Sequence, residues 1–265
     1  MSSIVGAVSG RPRITLLTDF GTADGYAAAM RGVIASLKPD LLVDDISHDI
    51  RPGDISGAAW ALGRYWDHYP EGTVHVVVVD PGVGSGRRGL AVEAAGRFGV
   101  GPDNGVLRPM LVAPASRCAH VDRSDLWAVR VAPTFHGRDV FAPVAAHLAT
   151  SGVLQEVGRI VDDPVVLPAA AAHATGDGLA GAVVHVDRFG NLITNIPGDQ
   201  VRAGADVRLA GRSAGAVRRT YADAAPGEAV VVTGSSGWLE IAVRDGSAAR
   251  MFGAGEGTPV TVGLS

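Results

Sequence analysis

Apolar runs alternate with helix-like segments along the first part of the chain. The runs ITLLTDF (residues 14–20), LLVDDIS (41–47) and TVHVVVV (73–79) predict three strands. Residues 26–37 and 55–65 place apolar side chains on a helical spacing between them, and an aspartate stands before the second segment as an N-cap. This order is typical of βα units around a mostly parallel sheet. The β-branched run 73–79 resembles strands that are buried on both faces, so we expect it at the centre.

Two shorter strands and a helix are predicted before the pattern changes. The strands are LAVEA (90–94) and FGVG (98–101), and the helix covers about residues 140–149. Residues 162–177, with two prolines and an alanine-rich run, are typical of a linker.

Beyond this linker the chain shows short alternating runs, frequent glycines and no long helical pattern. Such a texture predicts a small antiparallel β domain, a barrel or a sandwich. The runs are AVVHVD, NLITNI, DVRLA, AVVVTG, WLEIAV and PVTV. We therefore predict an α/β fold with an N-terminal domain over residues 1–165, a linker over 166–178 and a C-terminal β domain over 179–265.

The amino-acid composition excludes several classes of function for the protein. A chain of 265 residues with 47% hydrophobic content can bury a substantial core. Its net charge of -4 and pI near 6.0 provide no global basic field, so we expect neither nucleic acid nor a membrane surface as partner, although a local patch stays open. Cys118 is the only cysteine, which excludes an intrachain disulfide and fits a reducing cytoplasm. No signal peptide or membrane span is expected.

A glycine-rich bend follows the third strand, and residues 84–89 (GSGRRG) match the dinucleotide fingerprint GxGxxG. That fingerprint requires the glycines to open a helix whose N-terminus holds the pyrophosphate. Here the alternating run LAVEA follows, which predicts a strand, and no Gly-Lys-Ser/Thr closes a P-loop. We therefore expect neither nicotinamide nor nucleoside triphosphate binding at this bend.

Two aspartates stand where predicted neighbouring strands end. Asp19 follows the first strand and Asp80 follows the third, and ligands bind at the carboxyl ends of strands in open α/β sheets. A carboxylate there can accept hydrogen bonds from two vicinal ribose hydroxyls. The alternative is that Asp19 and Asp24 only cap the turn and the following helix. Two acids on one edge favour a site.

Three further polar segments deserve weight as parts of a site. In the first, TFHGRD (residues 134–139), His136 lies in a predicted loop before a helix, and lone loop histidines are often structural. The turns DRFGN (187–191) and GSSGWLE (234–240) would each, alone, be interpreted as hairpins. A metal site from Asp19, Asp80 and His136 lacks any supporting spacing, so no metal is predicted.

Taken together and in this order, six motifs resemble the S-adenosyl-L-methionine (SAM) hydroxide adenosyltransferase family, which includes relatives of the fluorinase and chlorinase. They are LLTDFGTADGYAAAMRG, VVVVDPGVGSGRR, GPDNG, TFHGRDVFAP, VDRFGNLITNI and SSGWLEIAV. The resemblance covers nearly the whole chain. It implies an N-terminal α/β domain, a C-terminal β-barrel and a homotrimer with active sites between subunits. The reaction implied is hydrolysis of SAM to adenosine and L-methionine by attack of water or hydroxide at ribose C5′, with no cofactor.

The resemblance also implies residue roles. The hydrolytic members' catalytic Asp-Arg-His set falls on Asp80, Arg87 and His136, and halogenating relatives have tyrosine in place of the acid. Asp19 matches the acid that holds the ribose hydroxyls, and Asp80 also contacts substrate. The other implied substrate contacts are Val83 and Phe135 at the sugar, Asp187 and Ser235 at the methionine end, Asn191 at adenine or ribose, and Ser236, Glu240 and Val243.

Two positions depart from the pattern of the relatives. Ser236 stands where the fluorinase has an arginine for the methionine carboxylate, and Arg244 stands where many relatives have asparagine. Two alternative functions also remain: a halogenase of the same fold, against which Asp80 argues, and a nucleoside-binding module without turnover.

Overall fold

The computed structural model describes residues 11–168 and 171–263 of the chain. The chain divides between Leu167 and Pro168 into two compact units, each with its own apolar core. Residues 166–178, predicted as a linker, include a strand at His173–Thr175, while residues 169 and 170 lie outside the described part.

Over its described residues, from 11 onward, the first unit contains a seven-stranded sheet and four α-helices. Its elements in chain order are β1 (Arg13–Thr18), α1 (Tyr26–Leu37), β2 (Leu42–Ser47), α2 (Ile55–Gly63), β3 (Val74–Val78), β4 (Gly89–Ala94), β5 (Arg97–Pro102), α3 (Arg108–Leu111), β6 (Arg117–His120), α4 (Ala142–Ser151) and β7 (Ile160–Val161). Short 3₁₀ turns occur at Trp66–His68, Ser124–Leu126 and Leu154–Glu156, and a π turn occurs at Gly137–Phe141.

The sheet order is β2-β1-β3-β5-β4-β6-β7. The first four strands in this order, β2, β1, β3 and β5, run parallel to one another. The remaining strands β4, β6 and β7 add antiparallel pairings. Residues of β3 are buried throughout, because α1 and α4 cover one face of the sheet and α2 and α3 cover the other. The α/β prediction is thus confirmed, with the central position of β3.

Local chemistry explains where the helices begin. Asp54 is the N-cap of α2, and its carboxylate accepts a hydrogen bond of 2.8 Å from the Gly57 amide. At α1 the N-cap is Gly25 in a left-handed conformation, and no side chain caps the helix, so the capping role considered for Asp24 is wrong. The glycine tolerates φ +76° because it has no β-carbon.

The helix predicted from residue 140 begins later, at Ala142, behind the π turn. In an α-helix the amide of Pro143 would bond the carbonyl of Asp139, but proline has no N–H. The Ala128 amide donates to that carbonyl instead, at 2.8 Å, and the Ala142 amide bonds Gly137 in the i→i−5 pattern. Proline chemistry therefore produces the π turn directly after His136.

The second unit is a closed seven-stranded β-barrel with one extra strand. Its elements are β8 (His173–Thr175), β9 (Gly178–Val186), β10 (Leu192–Pro197), β11 (Asp206–Leu209), β12 (Arg212–Arg218), β13 (Ala229–Thr233), β14 (Trp238–Val243), α5 (Ala248–Phe252) and β15 (Pro259–Gly263). Pairing of β10 with β9 closes the ring, and β8 adds to β9. The barrel prediction is confirmed, although β12 was not predicted and pairs with β13 in parallel.

A search for membrane-crossing segments found none among the helices of residues 11–168 and 171–263.

Candidate functional site

The predicted rim acids follow adjacent parallel strands of the first unit. In the register of β1 and β3, Thr18 lies opposite Val78, so Asp19 and Asp80 leave the sheet at the same edge. The Asp19 carboxylate accepts a hydrogen bond of 2.8 Å from the Gly53 amide, in the loop before α2. This contact joins the first two strand-to-helix loops, so Asp19 anchors the edge as well as carrying a charge there.

Asp80, Arg87 and His136 form a continuous hydrogen-bonded set. The Arg87 Nε donates to both carboxylate oxygens of Asp80, at 2.9 and 3.0 Å, and the second guanidinium nitrogen, Nη2, makes a further short contact with Asp80 Oδ2. The same Nη2 lies 2.8 Å from Nδ1 of His136. The structure thus brings together the three residues that were predicted to form the catalytic set.

The contact with Arg87 determines which hydrogen His136 carries. A guanidinium can only donate, so Nδ1 must accept, and the single ring hydrogen of the neutral imidazole must lie on Nε2. Burial, followed by the charge of Arg87, lowers the pKa of His136 below its ordinary value. His136 is therefore neutral near pH 7, and it can donate a hydrogen bond through Nε2.

Further contacts hold the guanidinium of Arg87 in place. Its Nη1 donates to the backbone carbonyl of Arg88 at 3.2 Å, and its Cζ lies 5.2 Å from the ring centroid of the buried Phe141. The side chains of Arg87 and Asp80 are only 12% and 5% exposed. A positive charge fixed in so dry a place can stabilise negative charge that develops beside it.

The neighbouring Arg88 has a structural role. Its guanidinium bonds the nearly buried carboxylate of Asp103 at 2.7 and 2.9 Å, and it also bonds Asp163. Asp103 belongs to the GPDNG segment, where Asn104 donates to the carbonyl of Val79 at 2.9 Å. GPDNG therefore supports the bend and the end of β3. Since β4 begins at the last glycine of GxGxxG, the expectation that a strand follows the bend is confirmed.

Aromatic side chains border the same edge. Phe20, Tyr26 and Phe135 meet pairwise edge to face, with ring centroids 5.3 to 6.1 Å apart. The Arg138 guanidinium lies over the Phe135 ring, 4.8 Å from its centroid. Val83, half-buried, lies in the turn after Asp80, and its amide bonds the Asp80 carbonyl at 3.2 Å. This end of the first unit therefore offers an apolar surface beside the charged set.

The other candidates belong to the barrel, and two of them join in one turn. Asp187 and Asn191 bracket the turn between β9 and β10. The carboxylate of Asp187 accepts from the amides of Phe189 and Asn191 and from the side-chain amide of Asn191, at 2.8 to 2.9 Å. This network fixes both side chains, while the Phe189 ring is 77% exposed. The turn thus presents a rigid polar pair beside an exposed aromatic ring.

The β13–β14 hairpin holds the remaining candidates. Ser235 and Ser236 form its turn, with Ser235 exposed, and Glu240 and Val243 are buried along β14. Glu240 accepts a hydrogen bond of 2.5 Å from the hydroxyl of Tyr221, which lies in the 3₁₀ turn Tyr221–Asp223 between β12 and β13.

Arg244, one of the two positions expected to differ from the relatives, lies at the end of the same hairpin. Its Nη1 bonds the carbonyl of Ala224 at 2.8 Å. This contact gives Arg244 a role in fixing a neighbouring loop of the barrel.

Several supporting residues carried no signal that the sequence reasoning used. One is His48, which bonds Thr18 at 2.9 Å, and another is Phe141, whose ring lies beneath Arg87. Both come close to the site only when the chain folds. Asp139 was visible in TFHGRD, but its buried carboxylate is paired with Arg138. That pairing lowers the pKa of Asp139. No three metal-binding side chains cluster in the part of the chain that the structure describes.

Comparison with known proteins places this geometry in a family. Residues 14–158 match the model of the SAM hydroxide adenosyltransferase N-terminal domain, and residues 181–261 match that of the C-terminal domain. A Thermus thermophilus protein named (R)-S-adenosyl-L-methionine hydrolase is 42% identical over 257 residues, which cover 93% of this chain and 98% of the relative. A fluorinase of Actinopolyspora mzabensis is 28% identical over 291 residues, covering 95% and 97%.

A solved structure is similar over the same extent. The crystal structure of an uncharacterized conserved protein from Thermotoga maritima aligns with a TM-score of 0.85 at 33% identity, covering 94% of this chain and 99% of the other. The chain belongs to the SAM hydroxide adenosyltransferase family.

Proposed function

We propose that the protein hydrolyses S-adenosyl-L-methionine to adenosine and L-methionine. The observation that carries the proposal is Arg87, held between the carboxylate of Asp80 and Nδ1 of His136, in a chain whose relatives include named hydrolases. Because those relatives are named for the (R) compound, we infer that the sulfonium substrate of this chain has the same configuration.

The reaction is a displacement at ribose C5′. The oxygen of water or hydroxide bonds C5′, and the C5′–S bond breaks with its electron pair going to sulfur, which leaves as the neutral thioether of methionine. The sulfonium needs no acid catalyst. The residues therefore act on the nucleophile, which must be aligned behind C5′ and partly dehydrated.

The contacts divide the work among the three residues. Nε2–H of His136 and the Arg87 guanidinium are donors, which favour an oxygen that carries negative charge. Asp80 is the acceptor of the set, so it orients the water and receives its proton. With Nδ1 bonded to Arg87, His136 has no lone pair free to act as the base.

The substrate contacts proposed outside the set follow the same chemistry. In the first unit, Asp19 accepts from the ribose hydroxyls, while Val83 and Phe135 contact the sugar. In the barrel, Asp187, Ser235 and Ser236 contact the methionine end, and Asn191, Glu240 and Val243 complete the substrate surface. We also propose a cytoplasmic homotrimer with active sites between subunits, and light scattering coupled to gel filtration would measure the assembly.

The test incubates the purified protein separately with the two sulfur epimers of SAM. We expect adenosine and methionine, quantified by mass spectrometry, with faster turnover of the (R) epimer. In water labelled with ¹⁸O, the label should enter the 5′-hydroxyl of adenosine. Binding without turnover would instead support a nucleoside-binding module, and unlabelled adenosine would contradict attack by water at C5′.

The fluorinase relatives suggest the competing reaction, in which halide replaces water. The same incubation with added fluoride or chloride tests it, because 5′-halo-adenosine differs in mass from adenosine. We expect adenosine alone, since Asp80 stands in the set where halogenating relatives have tyrosine.

A further inference from the structure

The backbone of the glycine-rich bend comes close to the Pro133 carbonyl, in the loop before His136. Gly84 lies in the bend with φ +77°, and a β-carbon there would lie 2.6 Å from the carbonyl oxygen of Pro133. So short a contact between carbon and a backbone oxygen is sterically forbidden. Pro133 stands three residues before His136, and Arg87 stands three residues after Gly84. The contact therefore joins the two segments that supply the Arg87–His136 hydrogen bond.

Hydrogen bonds anchor the loop on the Pro133 side of the contact. Asp139, which is 3% exposed, accepts from the Ala132 amide through its carboxylate at 2.8 Å. Its own amide donates to the Phe135 carbonyl at 3.1 Å, and its carbonyl accepts from the Ala128 amide at 2.8 Å. One buried residue thus pins the loop on both sides of Pro133.

We propose that Gly84 is a positioning residue, whose missing side chain lets the bend rest on the Pro133 carbonyl and so sets the separation of Arg87 from His136. Its expected effect on turnover rests on the proposed hydrolysis. A methyl group at position 84 pushes the two segments apart and lengthens the 2.8 Å contact between Arg87 Nη2 and His136 Nδ1. The nucleophile then loses a donor from its required position.

The experiment compares three alanine variants of the full chain. Gly84→Ala adds both the collision and a strained φ. Gly86→Ala changes the same bend, but a β-carbon there meets nothing within 4 Å. Gly211→Ala adds the same kind of backbone strain, at φ +80°, in open space in the β11–β12 turn. The two controls therefore separate the collision from loop composition and from strain.

With SAM as substrate, Gly84→Ala should lower kcat at least about tenfold and change KM by less than about twofold, because misplacement of about 1 Å is costly in catalysis. Both controls should stay within about twofold of the unchanged protein. Circular dichroism and thermal melting establish that each variant is folded at the assay temperature. A folded Gly84→Ala protein with unchanged kcat would overturn the proposal.

A second readout needs no substrate. The His136 ring, identified by the signal lost in His136→Gln, is titrated by NMR. Burial and then the charge of Arg87 lower its pKa, while Asp80 and Asp139 oppose this shift. Separation from Arg87 should therefore raise the pKa of His136 in Gly84→Ala and in neither control. If this rise occurs while the unchanged protein leaves SAM intact, the positioning role stands and the proposed hydrolysis fails; an unchanged pKa contradicts the positioning role.

Gly84→Asn separates collision from strain within the same position. Asparagine adopts the left-handed region more readily than alanine, yet it carries the same β-carbon. We expect it to melt at a higher temperature than Gly84→Ala and to lose the same fraction of kcat. Recovery of kcat in Gly84→Asn would show that the Pro133 contact is not the cause.

Discussion

Arg87 and His136 meet through Nη2 and Nδ1 at 2.8 Å, and this contact fixes the imidazole as an acceptor on one side and a donor on the other. The arginine thereby decides what the histidine can do. In the proposed reaction, His136 paired in this way stabilises an anionic nucleophile, and Asp80 accepts the proton.

Removal of any member of the set should impair turnover. Asp80→Asn and His136→Ala should each lower the rate of adenosine formation about 10²-fold or more, the usual range for a lost acid–base or donor group. Asp125→Asn is the matched control, since Asp125 is an exposed partner of Arg123 in the loop before the site. If both site variants stay within about twofold of the control, the assigned set is wrong.

The fall of kcat at acidic pH should follow the protonation of His136. Burial and the charge of Arg87 lower its pKa, so the ring stays neutral until the pH falls below the ordinary value of about 6.5. Protonation of Nδ1 then breaks the bond to Arg87 and kcat falls. Arg87→Gln, measured at its lower rate, should shift this fall to higher pH, because one cause of the lowered pKa is gone. A fall at unchanged pH would contradict the assignment.

Substitutions of the two adjacent arginines, Arg87 and Arg88, should have different effects. Arg87→Gln should lower kcat and also the free energy of unfolding, because it leaves the carboxylate of Asp80, which is 5% exposed, without its partner. Arg88→Gln leaves the buried carboxylate of Asp103 without its partner in the same way, but it should change kcat little, since Arg88 lies outside the set. We expect Arg88→Gln to lower the free energy of unfolding by roughly 2 kcal/mol, measured in urea. Equal losses of kcat in the two variants would refute this division.

Acid stability should depend on His75, which is fully buried in β3 and bonds Thr15 at 2.9 Å. Burial lowers the pKa of His75 to about 3, whereas the unfolded chain titrates near the ordinary value of about 6.5. Between these values the unfolded state binds more protons. The free energy of unfolding should therefore fall as the pH decreases through this window, by at most about 1.4 kcal/mol per pH unit.

His75→Gln removes this titration, so its stability should fall less steeply from pH 7 to pH 4 than that of the unchanged protein. His68→Gln, which changes an exposed histidine in the preceding 3₁₀ turn, is the control and should keep the original slope. Urea unfolding at several pH values measures both. Equal slopes for His75→Gln and the unchanged protein would contradict the role given to His75.

The sequence predicted the strands that support the site because their signal is local. The β-branched content of residues 73–79 predicted a strand, and the helical spacing of apolar residues in 26–37 predicted a helix. The structure contains both. The edge shared by Asp19 and Asp80 followed from strand order alone. By contrast, β12 (RSAGAVR) is small and glycine-containing, so it gave no alternating apolar pattern.

What the sequence could not provide were contacts between distant segments. The bond from Thr18 to His48 joins residues 30 positions apart, and the bond from Arg87 to His136 joins residues 49 apart. The motif resemblance grouped Asp80, Arg87 and His136, but nothing local indicated that Nδ1 faces the guanidinium. The π turn was also hidden, since it results from one proline together with an amide supplied by Ala128.

The reversal of β4 in the sheet has a consequence for how such a site can be transplanted. Because β4 runs antiparallel to β5, its first residue lies at the edge where β3 ends, and one short segment spans the width of β5. The acid and the cation therefore arrive as the two ends of a single loop of fixed reach, about two strand spacings or 10 Å. A scaffold with this order of strand directions could therefore accept the segment as one cassette, together with the GPDNG turn that supports the bend and the segment that carries His136 and Phe141.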